Sequence, residues 1–141
     1  MNPNPYQKFM QQNLTTMTPA DLLIALYDKA ILELNKSILF IKDNDIPKAH
    51  GSLRRVSDIV EALDGSLKVK YEITEHLSNM YKYFREQLTR ANIKKDTEII
   101  NELIPMFTEI RDAFIEASKS AWFQFGFIVK MRKAWFFHAF R

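Results

Sequence analysis

Cysteine is absent from this chain of 141 residues, and glycine occurs only three times. Without thiols there is no disulfide framework, no thiolate nucleophile and no cysteine zinc site. So few glycines leave neither a phosphate-cradling loop nor the regular turns of a β-sandwich or barrel. The Met-Asn-Pro-Asn start has neither the basic nor the apolar region of a secretory leader, which makes the cytosol the expected compartment. Acidic residues are missing from one place. Residues 119–141 carry Lys119, Lys130, Arg132, Lys133 and Arg141 against no Asp or Glu, together with eight of the 18 aromatics, whereas residues 1–118 hold 15 Lys and Arg against 17 Asp and Glu. The basic pI therefore belongs to a tail, and the body offers no basic surface for nucleic acid.

What is present is hydrophobic content of 47% arranged at helical spacing, enough for one compact all-α domain. Thr18-Pro19-Ala20-Asp21 is a helix start: a capping hydroxyl, a proline at the first helical position and a carboxylate at the third. From there Leu22, Leu26, Ala30, Leu34, Ile38 and Ile41 trace one apolar stripe, with Asp28, Lys29, Glu33 and Lys36 expected to lie mostly away from it. Asp45 caps a second helix with Pro47 in its first turn, and Asp64-Gly65-Ser66 ends it. Glu72 opens a third, whose buried side runs Leu77, Tyr81, Phe84, Leu88 and Ala91. Asp96 caps a fourth, with Ile99, Leu103, Phe107, Ile110 and Phe114 inward and a kink expected at Pro105. Four stripes joined by short links are buried most economically as an antiparallel up-down-up-down four-helix bundle over residues 18–118. Residues 1–17, with Tyr6, Phe9, Met10 and Leu14 on one edge, read as a short docked cap that can leave without unfolding the bundle.

Chemistry is scarce. The Glu-x-x-His pairs of a di-iron bundle are missing, and Glu72, Glu75 and His76 read as a solvated helix face, so no metal, cofactor or catalytic role is expected. Arg54 and Arg55 have Asp58 and Glu61 one turn away, an ion-pair face rather than a phosphate contact. Leu22 with Leu23, Leu26 with Tyr27, Ile38 with Leu39 and Phe40, and Tyr81 with Tyr83 and Phe84 widen the apolar arcs beyond what a bundle seam needs. Some of that surface is expected outside, covered either by cap and tail or by a partner.

The ordered set Tyr6, Asn13-Leu14-x-Thr16-x-Thr18-Pro19, Leu22-Leu23-x-x-Leu26-Tyr27-Asp28-x-Ala30-Ile31, Ile59-Val60-x-x-Leu63-Asp64, Glu72-Ile73, Tyr81-x-Tyr83, Leu88, Ala91-Asn92 and Glu109-Ile110-Arg111-Asp112-Ala113 resembles the FliS family of flagellin export chaperones over residues 4–118. Two positions depart from the family pattern: Tyr71 stands where glycine is frequent, and Phe114 where tryptophan is. The resemblance implies a cytosolic bundle without catalytic activity that binds the disordered C-terminal segment of flagellin and serves the flagellar type III export gate, with or without a co-chaperone. It implies further that Tyr6, with Phe9 and Leu14, plugs a groove whose candidate lining is Ile59, Leu63, Leu77, Tyr81 and Leu88, residues that periodicity alone places in the core.

The tail matches no motif of that family. Its basic cluster falls mid-segment, which excludes a spanning helix. It reads as a surface for membrane or a second partner or, equally, as sequence never selected for folding, and after these as an arm that folds back into the groove. Alternatives to a chaperone are accordingly a membrane-surface adaptor that uses the tail, or a bundle that only dimerises.

Overall fold

The computed structural model describes residues 4–13, 19–67 and 72–123, excepting the side chains of 13, 19, 72–74 and 120–123. Leu14, Thr18 and the tail from residue 124 lie outside the described residues. Five helices follow one another: α1 (Pro5–Asn13), α2 (Pro19–Lys42), α3 (Ile46–Gly65), α4 (Glu72–Lys94) and α5 (Thr97–Phe123). No strand occurs among the described residues, and no helix among them is long and apolar enough to cross a membrane.

Two turns are built on the same plan. α2 ends with Asn44 in the left-handed region (φ 57°), the Asn44 amide donating to Ile41 O at 3.0 Å and the Asp45 amide to Phe40 O at 2.8 Å. These paired bonds satisfy carbonyls that a helix end otherwise leaves open. Asp45 then turns from terminator to initiator: its Oδ1 accepts from the Lys48 amide at 3.3 Å, and Pro47 falls where a helix has no use for an amide. At the other turn Lys95 takes the left-handed conformation (φ 50°), the Asp96 amide donates to Ala91 O, and Asp96 Oδ1 accepts from the Glu98 amide at 2.9 Å. A lysine is costly in that conformation, and its ammonium offsets part of the cost by donating to the carbonyl and to the side-chain oxygen of Asn92.

α3 and α4 are tied by Asp64, which accepts from Ser78 Oγ at 3.0 Å and from Arg85 Nη1 at 2.8 Å. α5 runs through Pro105 as one helix and continues to Phe123. The proline is exposed, as is Asn101, whose carbonyl loses the amide it would have had and can turn to water.

Around the bundle α2 packs against α3 and α5, α3 against α4, and α4 against α5, while the diagonals α2/α4 and α3/α5 make no such contact. The centre is filled by rings. Phe84 stacks on Phe107 at 4.4 Å, Tyr27 meets Phe107 edge-on at 6.2 Å and Phe114 at 5.9 Å, and Tyr81 lies 6.5 Å from Phe84. The circuit closes through the hydroxyls of Tyr27 and Tyr81, 2.7 Å apart across the α2/α4 diagonal. Burial pushes both phenols upward in pKa, so both stay neutral donors and acceptors. Leu22, Leu26, Leu34, Leu53, Val56 and Ile100 complete a core in which each side chain contributes about 1.5–3 kcal/mol by leaving water.

Candidate functional site

α1 is nine residues long, too short to hold as a helix in water on its own. Its N-terminus is specified locally: Asn4 Oδ1 accepts from the Tyr6 amide at 2.9 Å, and Pro5 occupies the first helical position. Asn4 also fastens α1 to the bundle, donating from Nδ2 to Asp58 O on α3 at 2.8 Å. Met10 is buried, Tyr6 and Phe9 are half-buried against the core, and α1 lies on α3 and α2 across their seam. Gly65 permits the approach, because a Cβ there would stand 3.1 Å from Gln7 Nε2. Of the segment 1–17 expected as a cap, residues 5–13 form a helix docked on α3 and α2, and Leu14 lies outside the described residues.

Beneath Tyr6 sits a charge cluster that departs from the sequence reading. Glu33, expected away from the apolar stripe, is only 2% exposed. Its Oε1 takes Lys29 Nζ at 3.1 Å and Lys36 Nζ at 3.8 Å, and its Oε2 takes Arg55 Nη1 at 3.3 Å. Burial raises the carboxyl's pKa, but Lys29, the neighbouring Ser52 hydroxyl and Arg55 outweigh burial and hold it below the ordinary value. Ser52 Oγ is itself buried and makes no hydrogen bond. Arg55, expected to pair along its own helix with Asp58 or Glu61, instead reaches across to α2. A long guanidinium spans the seam readily, and a buried carboxylate needs a charged partner more than a solvated one does. Burial also pushes the Tyr6 phenol up; Lys29 and Arg55 oppose that, and Glu33 and Asp58 add to it.

The remaining candidates lie deeper. Ile59, Leu63 and Leu88 are fully buried, Tyr81 is 1% exposed and Leu77 8%. They form the core on α3 and α4, so a partner reaches them only as helices part. Of the residue pairs expected to spill outward, Leu22, Leu23, Leu26 and Tyr27 are all interior, whereas Leu39 and Tyr83 are exposed, joined by Leu32, Ile46 and Ile93. Glu75 and His76 are exposed on α4, and no group of His, Asp and Glu suited to a metal occurs among the described residues.

The described residues thus form an all-α scaffold of four long helices, with a short amphipathic helix seated over one interhelical seam. The chain belongs to the FliS family: it matches the family described as "Flagellar protein FliS" over residues 2–121. It is similar to the flagellar secretion chaperone FliS of Bacillus subtilis strain 168, with 29% identity over 117 residues covering 83% of this chain and 88% of that protein. It is similar also to those of Salmonella typhimurium (27%; 84% and 90% covered) and Escherichia coli K12 (31%; 76% and 75% covered).

Proposed function

We propose that this chain is a cytosolic export chaperone without catalytic activity, which binds the disordered C-terminal segment of flagellin, keeps it from polymerising prematurely and delivers it for type III flagellar export. The observation that carries the reading is α1 itself, an amphipathic helix seated by Met10, Tyr6 and Phe9 on the α2/α3 seam of a chain that belongs to the FliS family. A groove that accepts one short amphipathic helix accepts another. The ring of neighbouring helices and their two tight turns support the finer arrangement, an antiparallel up-down-up-down bundle over residues 18–118 with residues 1–17 as its displaceable cap.

In this reading α1 occupies part of the client's site. The client has no fold of its own to lose and can wrap the bundle, exchanging α1's contacts for its own. Net affinity is lowered by the cost of moving α1, which keeps binding reversible. Tyr6, Phe9 and Leu14 are the plug, Ile59 and Leu63 the floor on α3, and Leu77, Tyr81 and Leu88 the residues that an opened α3/α4 face would present. A component of the export gate or a co-chaperone completes the partner set.

The test is calorimetric titration of the purified chain with a peptide of the flagellin C-terminal segment. Saturable binding is expected, and Tyr6→Ala should change the affinity while leaving the helical content and the unfolding midpoint of the bundle in place. Binding that Tyr6→Ala leaves unchanged removes the plug; absence of binding in both proteins removes the chaperone reading.

A further inference from the structure

Three cations crowd one carboxylate beneath α1. The ammonium groups of Lys29 and Lys36 and the guanidinium of Arg55 have side chains 40%, 46% and 53% exposed, and together they carry far more N–H donors than the two oxygens of Glu33 can accept. The neighbouring Ser52 hydroxyl also favours the ionised form of Glu33. Asp58, which also faces Tyr6, offsets one charge and leaves the seam positive. The helix packed on this seam does nothing to restore the balance: α1 contains no Asp or Glu and carries Lys8. α1 therefore complements this seam in its apolar contacts and mismatches it in charge.

Resting on the reading above, in which the client takes α1's place, we propose that the incoming segment is recognised by a carboxylate that engages Lys29 and Arg55, which makes these two residues specificity determinants. An amphipathic helix that merely copies the apolar edge of α1 gains nothing over α1, since only differential affinity shifts an exchange equilibrium. One that adds a carboxylate gains charge-assisted hydrogen bonds that the Tyr6 phenol cannot supply as an acid would. The carboxylate comes from a side chain or from the chain end; the chemistry at Lys29 and Arg55 is the same. Because both cations are partly exposed, the effect is a modest factor per residue rather than orders of magnitude.

The experiment titrates full-length protein with the flagellin C-terminal peptide in four forms: native, C-terminally amidated, with its Asp and Glu changed to Asn and Gln, and with both changes. Binding to the wild-type chain should weaken about tenfold with the fully neutralised peptide, and the two single forms identify which carboxylate acts. Lys29→Gln and Arg55→Gln should each weaken the native peptide about threefold, flatten the salt dependence, and have no further effect on the neutralised peptide, while Lys48→Gln, whose ammonium instead meets Asp45 and the Phe40 ring, changes nothing. The peptide arm needs no protein variant, so it stands even if loss of a partner for Glu33 impairs folding. Native and neutralised peptides that bind wild type equally overturn the inference and leave the chaperone reading intact; failure of every peptide to bind, to Tyr6→Ala as well as to wild type, overturns both.

Discussion

The hydroxyl pair between Tyr27 and Tyr81 makes a sharp test of how the bundle is held together. The two oxygens lie 2.7 Å apart in a site where both residues are almost completely shielded from solvent, and they join α2 to α4 across the bundle's diagonal. Tyr27→Phe keeps the ring contacts with Phe107 and Phe114 and removes one oxygen, so the Tyr81 hydroxyl is left buried without its partner. The converse holds for Tyr81→Phe. An orphaned buried hydroxyl costs about 1–3 kcal/mol. With a urea m-value near ~2 kcal/mol/M for a domain of this size, a loss of ~2 kcal/mol moves the unfolding midpoint down by about 1 M. The double variant removes both partners together and leaves no orphan. It should therefore be more stable than the sum of the single losses allows, with a coupling of about 1–2 kcal/mol. Urea unfolding followed by circular dichroism on the four proteins reads this directly. Single variants that cost nothing, or losses that simply add in the double, would refute the claim that the two hydroxyls satisfy one another.

Glu33 gives a pH signature. Its folded pKa is held below the ordinary value, so its stabilising contribution is present above about pH 4.5, the ordinary value, and is lost as pH falls through the depressed folded pKa. Glu33→Gln should flatten the acid limb of the stability curve, and urea midpoints at pH 7 and pH 3 should differ less in the variant than in the native chain. Phe84, fully buried and stacked on Phe107, should cost about 3–5 kcal/mol as Phe84→Ala, whereas the exposed neighbour Tyr83 should cost under about 1 kcal/mol as Tyr83→Ala; chemical denaturation of the two variants checks the contrast.

Much of the fold was legible because its signals are local. Asp45, Pro47 and Asp96 cap helices for reasons contained within four residues, and the stripes from Leu22 to Ile38 and from Leu77 to Ala91 record which side faces inward. Asn4-Pro5 offers the same start signal as Thr18-Pro19 and could have announced α1 as a helix within the docked cap. Glu33 was misplaced because a helical wheel knows only its own helix. The residue lies at the edge of the α2 stripe, and its partner Arg55 arrives from α3, which a wheel of α2 alone does not contain. The meeting of Tyr27 with Tyr81, 54 positions apart, is likewise invisible to periodicity. For the groove candidates, spacing identified Ile59, Leu63, Tyr81 and Leu88 correctly as inward-facing, but an inward-facing residue and one that opens to a client follow the same pattern.

The two matching turns divide the molecule into leaves. Hydrogen bonds within residues 40–48 and 91–100 lock α2 to α3 and α4 to α5 at one end of each pair, so neither pair can slide along its own axis without breaking backbone bonds. Between the pairs, the described polar ties are made by side chains such as Asp64 with Arg85 and Arg111 with Asp28, which re-form after small displacements. The spine where one leaf meets the other is thereby the more yielding line, since parting it breaks fewer backbone bonds than unfolding either page.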